Sequence, residues 1–86
     1  MNDKTKRVQI YLEIINSEEW RRAFIGFNPK TINALKDYLY HVVSSDDWRG
    51  RLSQAQACEK NGVHSIRKAI NRLHESGLTK KIDGAW

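Results

Sequence analysis

His64, Ser65, Arg67, Lys68, Asn71 and Arg72 crowd into one short stretch of the chain, and all are side chains that can hydrogen-bond to a ligand. Arg and Lys can pair with phosphate or with the O6/N7 edge of guanine, and Asn can bond the edge of adenine. Interleaved with them, Val63, Ile66, Ile70 and Leu73 recur at steps of 3, 4 and 3, which predicts one apolar helix face. A helix here would bury that face and present Lys68, Asn71 and Arg72 on the other, with Ser65 beside them and His64 and Arg67 flanking.

Charge placement suggests what such a face would meet. From Arg49 to Trp86 eight Lys/Arg stand against three Asp/Glu, whereas from Met1 to Trp48 seven of each sign cancel. The net charge of +5 is therefore confined to one half of the chain. A basic half that coincides with a helical recognition pattern suggests a polyanion, and double-stranded DNA is the first candidate. The plainer alternative is a solvated charged face, which most such faces are.

The elements that must position these residues are signalled locally. Ser53 and Gln56 form a capping box, predicting a helix that runs through Ala55, Ala57 and Cys58 to about Lys60. Asn61-Gly62 stops it, and Gly77-Leu78 ends the second helix. Thr79 to Ile82 reads as a strand, Asp83-Gly84 as a two-residue hairpin turn, and Ala85-Trp86 as the beginning of a return strand. Lys80 and Lys81 would then sit on a basic hairpin within reach of phosphate or the minor groove. Arg51-Leu52 would supply the strand that pairs with this wing, bringing Arg49 and Arg51 near it. A return strand of two residues implies a domain at the start of a longer protein, or else a short wing closed by Trp86.

Upstream, Asn28-Pro29 is a helix start, with Asn as cap and Pro at the first helical position. Ile32, Leu35, Leu39, Val42 and Val43 extend it as an apolar stripe to about Val43, before the polar loop Ser44–Asp47 and an anchoring Trp48. Ser17-Glu18-Glu19 predicts a further short helix, to Phe24, closed by Gly26. Val8 to Ile14 alternates strictly with polar residues, as a strand does, yet Val8, Tyr11, Leu12 and Ile15 also fit a helix face. The predicted fold is α+β and mostly helical, a winged helix-turn-helix with a short β-hairpin wing. Residues 28–86 would form that domain and residues 1–27 an N-terminal extension. The extension either makes a homodimer contact or completes the monomer core.

Gly62-Val63, Ile66-Arg67-Lys68-Ala69-Ile70, Leu73 and Gly77-Leu78 resemble the winged helix-turn-helix superfamily. The alternating start, the loop with Trp48 and the ending Lys80-Lys81-Ile82-Asp83-Gly84-Ala85-Trp86 look like plasmid and phage replication initiators of Gram-positive bacteria. This resemblance implies DNA binding in replication initiation or transcription control. The distance from Ser53 to Ile70 is shorter than that family's usual spacing, so the turn must be compressed or the first helix shortened.

Other chemistries find little support. His41, His64, His74 and Cys58 lack the paired short spacings of a zinc site, and Glu18 and Glu19 are adjacent, so they point differently. No Gly-rich phosphate loop is present, so neither catalysis nor a cofactor or metal is expected. The lone Cys58 reads as core filling. No run of apolar residues is long enough to span a bilayer and no signal peptide opens the chain, which predicts a cytoplasmic protein. RNA is disfavoured because no aromatic residue lies among the basic residues of the second helix. The rival reading is a protein-contact module that uses Trp20, Phe24 and Phe27 as an exposed interface.

Overall fold

The structure, a computed structural model, describes residues 3–44 and 50–82, with the side chains of 5–44 and 54–80. Five α-helices are described: α1 Asp3–Ile15, α2 Glu18–Ala23, α3 Pro29–Ser44, α4 Gly50–Asn61 and α5 Arg67–Ser76. A 3-10 turn, Leu78–Ile82, follows α5. No helix among the described residues is long and apolar enough to cross a membrane.

The ambiguous N-terminal segment is helical. Tyr11 and Ile14, three residues apart, are both buried, while Val8, Ile10 and Ile15 pack partly against the same core. Strand alternation would send Tyr11 and Ile14 to opposite faces; the helical period sends both inward. The apolar residues considered for a dimer contact are thus largely covered within one chain, and Leu12 remains half-exposed. The short second helix starts as its sequence indicates. Ser17 caps α2 by accepting the Trp20 backbone N–H at 3.2 Å, and Glu18 and Glu19 lie in the first turn. The Asn28 side chain accepts the Lys30 N–H at 2.9 Å, so the Asn-Pro start of α3 also holds.

The core gathers Tyr11 and Ile14 of α1, Trp20, Ala23 and Phe24 of the α2 region, Leu35, Leu39 and Val43 of α3, and Ile66, Ala69 and Leu73 at α5. Trp20 and Phe24, read as members of an exposed interface, are buried in it. Their rings lie 4.5 Å apart. Helix α3 is the hub, packing against α1, α4 and α5, while α5 also leans on α2. The expected helix pair α4 and α5 shares little direct contact, and each docks on α3 instead.

Three sequence expectations fail here. No strand exists among the described residues, so the β-hairpin wing and the α+β class are replaced by a helical fold. The stretch with Thr79, Lys80 and Lys81 is a 3-10 turn, opened by Lys80 N–H donating to the Gly77 carbonyl at 3.2 Å. Leu78 and Thr79 are adjacent yet both buried, which a strand with its period of two cannot achieve against a single core. Arg51 and Leu52, the intended partner strand, lie inside α4, and α1 packs on the 3-10 turn where a strand would have been needed. Without a third strand a two-stranded hairpin is marginal. The hairpin turn Asp83-Gly84 and the residues Ala85-Trp86 lie outside the described residues, as does Trp48. The second failure is the Ser53 capping box, because α4 begins earlier, at Gly50, and Ser53 falls within the helix. Arg51 and Leu52 rank among the better helix formers and extend it toward its N-terminus. Third, the apolar series beginning at Val63 enters its helix only at Arg67.

Tyr11 ties α1 to α3 by donating its hydroxyl to the Lys36 carbonyl at 3.1 Å. Burial first, then the charge of Asp37 and the neighbouring Tyr40, push this hydroxyl from 10.0 up to about 12. In the unfolded chain it would ionise near pH 10, so stability from keeping it neutral is complete below pH 10 and is lost as pH rises toward 12. Replacing Tyr11 by Phe should remove that part of the alkaline loss. The stability difference, variant minus native, should then rise between pH 10 and 12 in denaturant titrations. Ile14→Ala should cost ~2–5 kcal/mol by urea unfolding, since it opens a cavity in a side chain's place at the centre of the core.

Candidate nucleic-acid interface

The basic face is built on the two ends of α5. At its start, Gly62 takes the left-handed conformation (φ +66°) that terminates α4. Its N–H bonds the Glu59 carbonyl at 3.3 Å, and the Val63 N–H bonds the Cys58 carbonyl at 3.0 Å. This crossed pair of bonds is a Schellman closure. The Asn61 side chain fixes the same corner, donating to Asp37 of α3 at 2.9 Å and to the Ala57 carbonyl at 2.8 Å. The Ser65 hydroxyl then accepts the Arg67 N–H at 3.1 Å, leading the chain into α5. At the far end Gly77 closes the helix at φ +79°, and Leu78 buries itself behind it.

Between these ends Ile66, Ala69 and Leu73 are fully buried and Ile70 is half-buried. The helical period therefore turns Arg67, Lys68 and Asn71 outward, where all three are exposed, as are His64 and Ser65 in the turn before them. Among the described residues neither Arg67 nor Lys68 forms an ion pair, whereas Arg21 and Arg22 both meet Glu18 and Lys60 lies 3.9 Å from Asp37.

Five of the sequence-predicted residues thus converge. His64, Ser65, Arg67, Lys68 and Asn71 line one open groove of about 590 Å³. Three residues not assigned to a DNA-reading face join them: Val63, Thr31 of α3 and Phe27 from the loop before it. Phe27 comes from a point so distant in the chain that only the docking of α5 near the start of α3 brings it in. An aromatic ring does therefore lie beside the basic residues, although the helix itself contains none. Among the described residues no carboxylate lines this groove.

The remaining predicted residues are placed differently. Arg72 donates its Nε to the Ala23 carbonyl at 2.9 Å and lies 3.5 Å from Glu75. It therefore closes the C-terminal end of α2 and fastens α5 to it, rather than standing free on the outer face. Lys80 is exposed on the 3-10 turn and is absent from the groove lining. Arg51 and Lys81 have helical backbones in α4 and in the 3-10 turn, with side chains outside the described set, and Arg49 lies outside the described residues altogether. Cys58 is half-buried, and no cluster of three potential metal ligands occurs among the described residues.

The Arg72 geometry makes a separable prediction. Arg72→Ala should lower stability by ~0.5–1.5 kcal/mol in urea unfolding, the worth of one hydrogen bond and its freed carbonyl. Lys68→Ala should stay within ~0.5 kcal/mol of the native protein. Equal effects from the two would contradict the anchoring role.

Compared with known proteins, the chain matches no family model, no curated sequence and no solved structure.

Proposed function

We propose that this chain binds double-stranded DNA, reading it with the outward face of the first two turns of α5. The observation that carries this reading is that Arg67, Lys68 and Asn71 share one exposed face, with no ion pair among the described residues to neutralise the two cations. Phosphate oxygens and base edges are the groups such a face complements. Arg67 and Lys68 supply charge-assisted bonds to phosphate or guanine, and Asn71 has the paired donor and acceptor that match adenine. His64 and Ser65 extend the face at the turn, and Ser65 keeps a hydroxyl proton to donate after accepting from Arg67 N–H. With Arg72 engaged at Ala23, its contribution to DNA is indirect, through the setting of α5. The biological role that accompanies this reading is replication initiation or transcription control. It rests on sequence resemblance alone, since no hairpin wing exists among the described residues and α4 and α5 share little contact.

Duplex titrations at several salt concentrations test the proposal. The log–log slope of affinity against salt should be negative, with each phosphate contacted adding ~0.9. Lys68→Ala or Arg67→Ala should make it shallower. Asn71→Ala should instead cost ~1–3 kcal/mol of discrimination among sequences selected from a random duplex pool, with the salt slope unchanged. Salt-independent binding, or sequence preference untouched by all three changes, would remove α5 from the role of reader.

A further inference from the structure

The groove beside α5 holds more than a duplex backbone calls for. Its floor is apolar: Phe27 and Val63 are half-buried, each leaving part of its surface open to the groove. Phe27 is held in place, its ring 5.3 Å from that of Phe24 and nearly perpendicular to it, and Phe24 in turn lies against Trp20. A fixed ring offers apolar area with little ordering cost on binding. Above this floor the ionisable groups among the described residues are His64, Arg67 and Lys68, all able to carry positive charge. The volume, about 590 Å³, lies within the ~300–1,000 Å³ typical of clefts that enclose a ligand.

Phosphates would pair with the charged rim and would leave Phe27 and Val63 uncovered. An occupant that satisfies both parts must bring an apolar side chain and negative charge together. We infer that this groove takes an acidic peptide segment of a partner protein, with an aromatic or large aliphatic anchor seated against Phe27 and Val63 and flanking carboxylates on Arg67 and Lys68. An amphipathic acidic helix presents such a combination, with anchors at i and i+4. Because the same two cations serve DNA in the reading above, peptide and duplex exclude one another. The exclusion rests on that reading, but the peptide site does not.

The test uses the whole chain and a short fluorescein-labelled peptide rich in Asp and Glu, with Phe and Leu at i and i+4. A control peptide carries Ser at both anchors, and an oligothymidine strand of matched charge serves as the nucleic-acid probe. Fluorescence anisotropy should show the anchored peptide binding about tenfold or more tighter than its Ser control, the difference that burial of one large apolar side chain supplies. Phe27→Ser should abolish that advantage while leaving duplex affinity unchanged, and Lys68→Glu should weaken both ligands. Val63→Ser repeats the floor test should Phe27→Ser fail to fold, since Val63 lies in the turn outside any helix. Unlabelled duplex should displace the peptide. Equal binding of the two peptides, or insensitivity to both floor variants, overturns the peptide site. So does oligothymidine that binds tighter than the peptide and depends on Phe27, which would make the floor a base-stacking platform. A chain that binds the anchored peptide but no duplex would sink the DNA reading alone.

Discussion

The spacing that puts Ile66, Ala69 and Leu73 on one side of α5 constrains everything that the basic face can do. All three are fully buried. Each large apolar side chain among them is worth ~1.5–3 kcal/mol over its exposed state. Turning the helix by a single residue, about 100°, would lift Ile66 and Leu73 into water and drive a charged neighbour into the core. Arg67, Lys68 and Asn71 therefore face outward because the alternative is far less stable. Gly62 and Gly77 add the limits along the axis, their left-handed backbones ending α4 and α5 where L side chains would be strained.

This arrangement makes the neutral half of the chain a scaffold for the basic half. The core that receives α5 is assembled from α1, α2 and α3, and the Arg72 bond to Ala23 secures it across 49 positions of sequence. Some charges elsewhere are paired locally: Glu18 serves Arg21 and Arg22, and Asp37 meets Lys60 and accepts from Asn61 at the junction of α3 and α4. Lys6, Arg7, Lys30 and Lys36 form no ion pair among the described residues. The cations at α5 that are unpaired among the described residues are set on a helix whose orientation is fixed by its buried side.

Most signals that act within a few residues were legible in the sequence, the Ser53 capping box being the exception because α4 begins earlier, at Gly50. The caps at Ser17 and Asn28 and the stops at Gly62 and Gly77 depend on a side chain meeting a backbone group close by, and each is found where the residue types place it. The rest of what could not be read depends on distant partners. The segment from Val8 to Ile14 fits two periods, and the choice falls to the helix because Tyr11 and Ile14 meet a shared core. Thr79 to Ile82 has residues suited to a strand, but a strand needs a neighbour, and Arg51-Leu52 went into α4. Arg72 looked like any other cation on a polar face until Ala23 came within its reach. Phe27 joined the groove for the same reason: two elements far apart in sequence dock side by side.

The start of α5 departs from what stability alone would select. Its N-cap is Ile66, which makes no side-chain cap bond, and its first turn contains no acidic residue. Asp, Ser or Asn at the cap is favoured by ~0.5–2 kcal/mol over residues that cannot bond the free N–H groups. The apolar cap has an explanation in the core, where Ile66 is buried and a polar residue would be lost. The cations do not. Arg67 and Lys68 occupy the positive end of the helix dipole, where carboxylates are stabilising by ~0.3–1 kcal/mol and positive charges act in the opposite sense. Nothing in the described packing offsets that penalty, since neither side chain has an anionic partner among the described residues. The same placement recurs at the start of α3, whose first turn holds the exposed Lys30 and no acidic residue. An anion arriving at the start of α5 would meet two side-chain charges and the helix dipole together, and would relieve the repulsion that the free protein carries.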